Sequence, residues 1–198
     1  MNLSPETRPS LLVRLKDQAD HDSWYEFTEI YRPVVFRLAC RRGLQPADAD
    51  DLAQQVLASV ARTIDRWEID HRRARFRTWL TRVATNAIFN ALTRGAPDRG
   101  SGNSDIHDLL AQQPAVEAEA SQFIRLEQRR EVFRWAARQI RPEFHPATWD
   151  AFWMTAVEGC AAAAASDELK LSIGSVYAAR SRVMRRLKEK VQEWQGEE

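Results

Sequence analysis

Apolar positions return every three or four residues along most of the chain, which predicts helices and almost no strand. Leu11, Leu12 and Leu15 predict a short first helix. Trp24, Phe27, Tyr31, Val34 or Val35, and Leu38 predict a second, with Asp20 or Asp22 as its cap and Gly43 as its stop. Pro33 lies inside that pattern and predicts a kink or a restart. Pro46 opens a third helix at a position where its missing N–H costs little. Leu52, Val56, Val60, Ile64 and Trp67 are the buried stripe of that helix. From Arg75 to Arg94 the chain has neither Gly nor Pro, enough for a helix about 30 Å long. Phe76, Leu80, Val83, Ala87 and Ala91 fall on its apolar face.

The pattern breaks at Gly95. The residues that follow are Gly, Pro and small polar types with little apolar period, the composition of a flexible linker. Periodicity resumes with Phe123, Leu126, Phe133, Ala137 and Ile140, ended by Pro142. Pro146 starts another helix, with Trp149, Phe152, Trp153 and Val157 on its inner side and Gly159 as its end. Cys160 to Leu169 then reads as a short helix, Lys170 and Leu171 as a turn, and Ser172 as the cap of a longer helix. Ile173, Val176, Val183, Leu187, Val191 and Trp194 form the apolar stripe of that last helix. The expectation is an all-α chain of two small helical domains, residues 8–95 and 121–194, joined by a linker over 96–120. The second domain contains a helix-turn-helix.

Composition adds less than charge order does. The length of 198 residues suits one domain or two small ones, and 44% apolar residues suffice for cores. The net charge of +1 hides a segregation. Asp48, Asp50 and Asp51 sit together, Arg72, Arg73, Arg75, Arg77 and Arg82 follow, and Arg180, Arg182, Arg185, Arg186, Lys188 and Lys190 close the chain. Separate acidic and basic surfaces point to nucleic acid on some faces and a different partner on another. Cys40 and Cys160 are far apart and without neighbouring His, so neither a disulfide framework nor a zinc site is expected. No signal segment or membrane-spanning run is read, and the expected location is cytoplasmic. His21, His71, His107 and His145 pair with no nucleophile, and no phosphate loop or dinucleotide fingerprint occurs. The reading is a protein that is not an enzyme, with no cofactor, metal or small-molecule substrate.

Two stretches carry candidate chemistry. Arg75, Trp79, Arg82, Asn86, Asn90 and Arg94 recur with helical spacing beside the apolar face of their helix. Cations for phosphates, a ring for stacking and amides that both donate and accept suit an unpaired nucleic-acid strand. The competing reading is a solvated face with one buried Trp. In the last helix Arg182, Arg185 and Arg186 project away from the apolar stripe, as a recognition helix for the major groove requires. An amphipathic helix with a charged outer face is the alternative there. On the third helix the exposed acids also suit a positive helix start, an effect of a few tenths of a kcal/mol each.

Together these stretches resemble a bacterial RNA polymerase sigma factor of the extracytoplasmic-function class, in the sigma-70 family. DADDLAQQVLASV (Asp48 to Val60) is similar to the family's polymerase-docking helix. FRTWLTRVATNAIFNALTR (Phe76 to Arg94) is similar to the helix that opens and reads the minus-ten element. SIGSVYAARSRVMRRL (Ser172 to Leu187) is similar to the helix that reads the minus-thirty-five element. The resemblance implies polymerase binding through Asp48, Asp50, Asp51, Leu52, Gln54 and Gln55. It implies DNA binding through Arg75, Arg77, Trp79, Arg82, Asn86, Asn90 and Arg94, and through Ser172, Gly174, Ser175, Tyr177, Arg180, Ser181, Arg182 and Arg185. The implied partners are core polymerase, promoter DNA and an anti-sigma protein or other regulator. The chain departs from the family at Ala164, Ala165 and Ser166, at Lys170 in the turn, and at Ala178 and Ala179. The family's minus-thirty-five preference therefore does not carry over. A helix-turn-helix regulator that binds duplex DNA without polymerase is the alternative, and a helical scaffold without nucleic acid is a second.

Overall fold

The computed structural model describes residues 9–66, 76–93 and 114–195, which are helical with no strand among them. Trp67, Arg75, Arg94 and residues 96–113 of the expected linker lie outside these residues. Contacts divide the chain into two units, Met1–Glu131 and Val132–Glu198.

The first unit contains α1 (Pro9–Arg14), α2 (His21–Arg41), α3 (Pro46–Thr63) with a following 3-10 turn, α4 (Phe76–Thr93), and the start of α5 (Pro114–Ile140). Asp20 caps α2 by accepting from the Ser23 amide at 3.0 Å. Arg14 grips the same carboxylate at 2.7 and 2.9 Å, and this pairing holds its pKa down to about 2. Pro33 neither ends nor restarts α2, which runs unbroken through it. Ile30, Tyr31, Val34 and Val35, on both sides of the proline, are fully buried, and that shared burial offsets the lost amide bond.

Gly43 ends α2 as expected, at φ +101°. Its amide donates to the Cys40 carbonyl at 3.0 Å, and the Leu44 amide donates to Ala39 at 3.2 Å. These are the two bonds of a Schellman stop, with Leu44 tucked inward. Helix α2 packs on α3, and α3 on α4. Leu52, Val56, Val60 and Ile64 are buried there, and Phe76 of α4 meets the Phe27 and Tyr31 rings edge-on, each at 5.8 Å. The buried stripe of α4 is rotated from the expected one. Leu80, Thr81, Ala84 and Ile88 face the core, whereas Val83, Ala87 and Ala91 are half-buried.

Helix α5 starts at Pro114, inside the expected linker, and the boundary expected at residue 121 falls within it. Its residues up to Glu131 belong to the first unit. Ala120 and Ile124 are buried, and Gln128 donates to the Tyr31 hydroxyl at 2.9 Å in the interior. Arg37 of α2 lies 2.5 Å from both Glu127 and Glu131, whose side chains are only 3% and 6% exposed. The Arg37 Nε contact with Glu127 is an ion pair by distance, but its angle falls outside hydrogen-bond geometry.

The second unit holds the rest of α5, then α6 (Pro146–Phe152) with a π-helical turn after it, α7 (Ala162–Leu169) and α8 (Ile173–Gln195). Trp149, Phe152, Ala136, Ala137 and Ile140 pack with Val183 and Leu187. Ala165 packs with Val176 and Ala179 in a smaller cluster. Leu126 and Val157, expected inside, are 48% and 41% exposed. Between α7 and α8, Lys170 is left-handed at φ 53°, a conformation that glycine adopts more cheaply. No helix among the described residues is long and apolar enough to cross a membrane.

Candidate nucleic-acid interface

Pro46 places the acidic run in the opening turns of α3, where the helix dipole favours it. Asp48, Asp51, Gln54 and Gln55 are exposed along one side of the helix. Asp50 is not a free charge. Arg32 of α2 donates to both of its carboxylate oxygens at 2.9 and 2.8 Å, and the Gln54 amide donates to it at 3.3 Å. Both partners are partly exposed, so this pair contributes at most about 1 kcal/mol, yet it neutralises Asp50. Asp48 and Asp51 have no cation at ion-pair distance among the described residues. Leu52, expected in the same surface, is 4% exposed in the core, so it shapes the helix face without forming part of it.

On α4 the stripe Trp79, Arg82, Asn86 and Asn90 runs along the flank away from the core. Trp79 and Asn86 are half-buried, and Arg82 and Asn90 are exposed. The Trp79 ring rests on Phe76 with centroids 5.4 Å apart, which fixes one face of the indole. Arg77 does not join the stripe. Its guanidinium donates inward to Gln128 Oε1 at 3.3 Å, so its position helps to hold α4 against α5. Arg82 donates to Glu117 Oε1 of α5 at 2.7 Å. Arg75 and Arg94, the ends of the stripe, lie outside the described residues.

In the second unit Ser172 caps α8, its hydroxyl accepting from the Ser175 amide at 3.1 Å. Gly174, Ser175, Tyr177, Arg180, Ser181, Arg182 and Arg185 are all exposed on this helix. No carboxylate occurs from Ile173 to Lys188, and Glu189 only approaches Arg185 at 4.0 Å. The surface is therefore basic over the first four turns. Arg186 is excluded from it. Glu143 holds it through two bonds of 2.7 and 2.9 Å, and Glu193 adds a third at 3.1 Å. This pairing raises the guanidinium pKa above its usual value and lowers that of Glu143. Sequence reasoning missed Ile173 and Met184, both 49% exposed beside Tyr177 at 57%. Ile173 had fitted the apolar period, but it sits on the flank of the stripe at the first helical position, where the core does not reach.

Residues 27–97 match the Sigma-70 region 2 family. The chain is 28% identical over 86 residues to the ECF RNA polymerase sigma factor SigW of Bacillus subtilis, covering 43% of this chain and 44% of the relative. It is 27% identical over 131 residues to the ECF RNA polymerase sigma factor SigE of Mycolicibacterium smegmatis, covering 66% of this chain and 48% of the relative. The chain thus spans about half the length of these curated relatives. Among solved structures it is similar to CnrH in complex with the cytosolic domain of CnrY, at 16% identity and a TM-score of 0.35, over 93% of this chain and 96% of that one.

Proposed function

We propose that the chain belongs to the sigma-70 family, in its extracytoplasmic-function class, and that it is a promoter-specificity subunit of RNA polymerase. One observation carries the reading most. The matched segment has an exposed acid-and-amide face on α3 and a separate Trp-Arg-Asn-Asn flank on α4. In this reading α3 docks on core polymerase and α4 captures the opened minus-ten strand. The expected domains, with the second beginning in α5, divide minus-ten and minus-thirty-five recognition between them. No step is enzymatic: an unstacked base costs a few kcal/mol, and a stacking or hydrogen-bonding pocket offsets that cost. Action in the cytoplasm and restraint by an anti-sigma protein belong to the same proposal.

Polymerase docking is tested at Asp48 and Asp51, which have no cation at ion-pair distance among the described residues. Asp48→Lys with Asp51→Lys is expected to weaken binding to core polymerase by roughly tenfold or more, since like charges across an interface cost several kcal/mol. Circular dichroism is expected to stay unchanged, because both side chains are exposed. Wild-type affinity in a titration would remove α3 from the docking surface. Asp50 is a poorer probe, because its replacement also releases Arg32.

Duplex binding is tested on α8. Arg182→Ala is expected to cost about 1–3 kcal/mol and relax preference at one base pair if the guanidinium reads a base edge. A phosphate contact gives instead a uniform loss across sequences and a shallower salt slope. Unchanged duplex affinity in an Arg180→Ala, Arg182→Ala variant leaves α8 an ordinary amphipathic helix.

A further inference from the structure

We infer that Glu117 of α5 is a positioning residue for strand capture: a carboxylate that occupies Arg82 until a nucleic-acid phosphate displaces it. This rests on the α4 role proposed above. Within the first unit, the early turns of α5 carry acids that meet cations of α2 and α4. Glu117 accepts from Arg82 Nε at 2.7 Å, and Glu119 pairs with Arg41 at 3.0 Å and Arg42 at 3.5 Å. Further along, Gln128 bridges the Tyr31 hydroxyl and the Arg77 guanidinium, at 2.9 and 3.3 Å. Glu127 and Glu131 enclose Arg37 in a nearly buried pair of contacts.

The two ends of this segment differ in how firmly they hold. Arg37 faces carboxylates that are 3% and 6% exposed, where water screens little. Arg82 is 62% exposed and Glu117 28%, so their pair is weak and gives way readily. The consequence is a segment anchored at Glu127–Glu131 with a detachable contact at Glu117. That contact falls on a stripe residue on the exposed flank of α4, between Trp79 and Asn86. A carboxylate there offers the guanidinium the same geometry as a phosphate. It therefore lowers affinity for any strand whose phosphate has to displace it, and leaves discrimination between strands to Trp79, Asn86 and Asn90.

The test is a double-mutant cycle with the full chain bound to core polymerase, titrated with a short fluorescein-labelled single strand of mixed sequence at several salt concentrations. Glu117→Gln is expected to bind the strand about threefold more tightly, the scale of an exposed ion pair. Its log–log salt slope is expected to steepen by up to roughly 0.7, one phosphate on a single strand. In an Arg82→Ala background both changes are expected to vanish. A salt slope of this kind does not move if Glu117 only supports the fold. If Glu117→Gln matches wild type while Arg82→Ala weakens binding, the carboxylate role is wrong and strand capture by α4 stands. If neither substitution changes affinity, Arg82 does not meet the strand, and the inference falls with that part of the proposed function.

Discussion

An Asn86→Ala, Asn90→Ala variant is expected to open promoters roughly tenfold to a hundredfold less than wild type, about 1.4–2.8 kcal/mol and within the range of one base-edge contact. Polymerase binding and closed-complex formation are expected to be unaffected. Asn is a poor helix former, and nothing in the stability of α4 asks for two of them one turn apart. Neither side chain lies among the buried residues, and the core is built without them. Their amides lie along the Trp79–Arg82 flank and are able to donate and accept toward the Watson–Crick edge of an extruded base. Permanganate reactivity at melted thymines is the readout. A promoter already mismatched across the minus-ten element is expected to recover part of the loss, because unpairing no longer has to be driven. Wild-type melting would reduce the stripe to a wet helix face.

The second large effect concerns stability. Arg37→Ala is expected to destabilise the first unit by about 3 kcal/mol, because it removes the cation that two nearly buried carboxylates share. The figure sits at the low end of the range for broken buried pairs, since Arg130 remains on Glu127. Adding Glu127→Gln and Glu131→Gln is expected to recover much of the loss by removing the two nearly buried charges that Arg37 had offset. Urea denaturation measures both variants. A change below 1 kcal/mol in Arg37→Ala would mean that water or another cation reaches those carboxylates.

Local patterning made the helices legible: the Asp20 and Ser172 caps, the Pro46 start, the Gly43 stop and the Leu52–Ile64 stripe all follow from short-range rules. The α4 stripe was legible too, because a basic and amide-bearing flank stands out against an apolar one. The errors arise where a helical period leaves neighbouring angles unresolved. Val83 and Ala87 lie beside the positions of α4 that are buried, and Leu126, Val157 and Ile173 keep the apolar period at places the core does not cover. Charge partners lie further from sequence reading still. Arg32 with Asp50, Arg77 with Gln128 and Arg37 with Glu131 span 18, 51 and 94 residues, and no local rule connects them. For that reason α5 looked like linker followed by a second-domain helix, although its early acids and Gln128 pair with the first unit. The same distance hid the difference between Asp50 and its neighbours Asp48 and Asp51.

The central claim is that this chain gives polymerase a promoter, and run-off transcription tests it most directly. Core polymerase is supplied with a library of promoter fragments, with and without the protein, and the transcripts are sequenced. The account predicts transcripts that start at a defined subset of fragments sharing two upstream elements, only when the protein is present. Specific binding of the protein to duplex DNA with no transcript above the level of core polymerase alone would contradict it, and would favour a regulator that acts without polymerase.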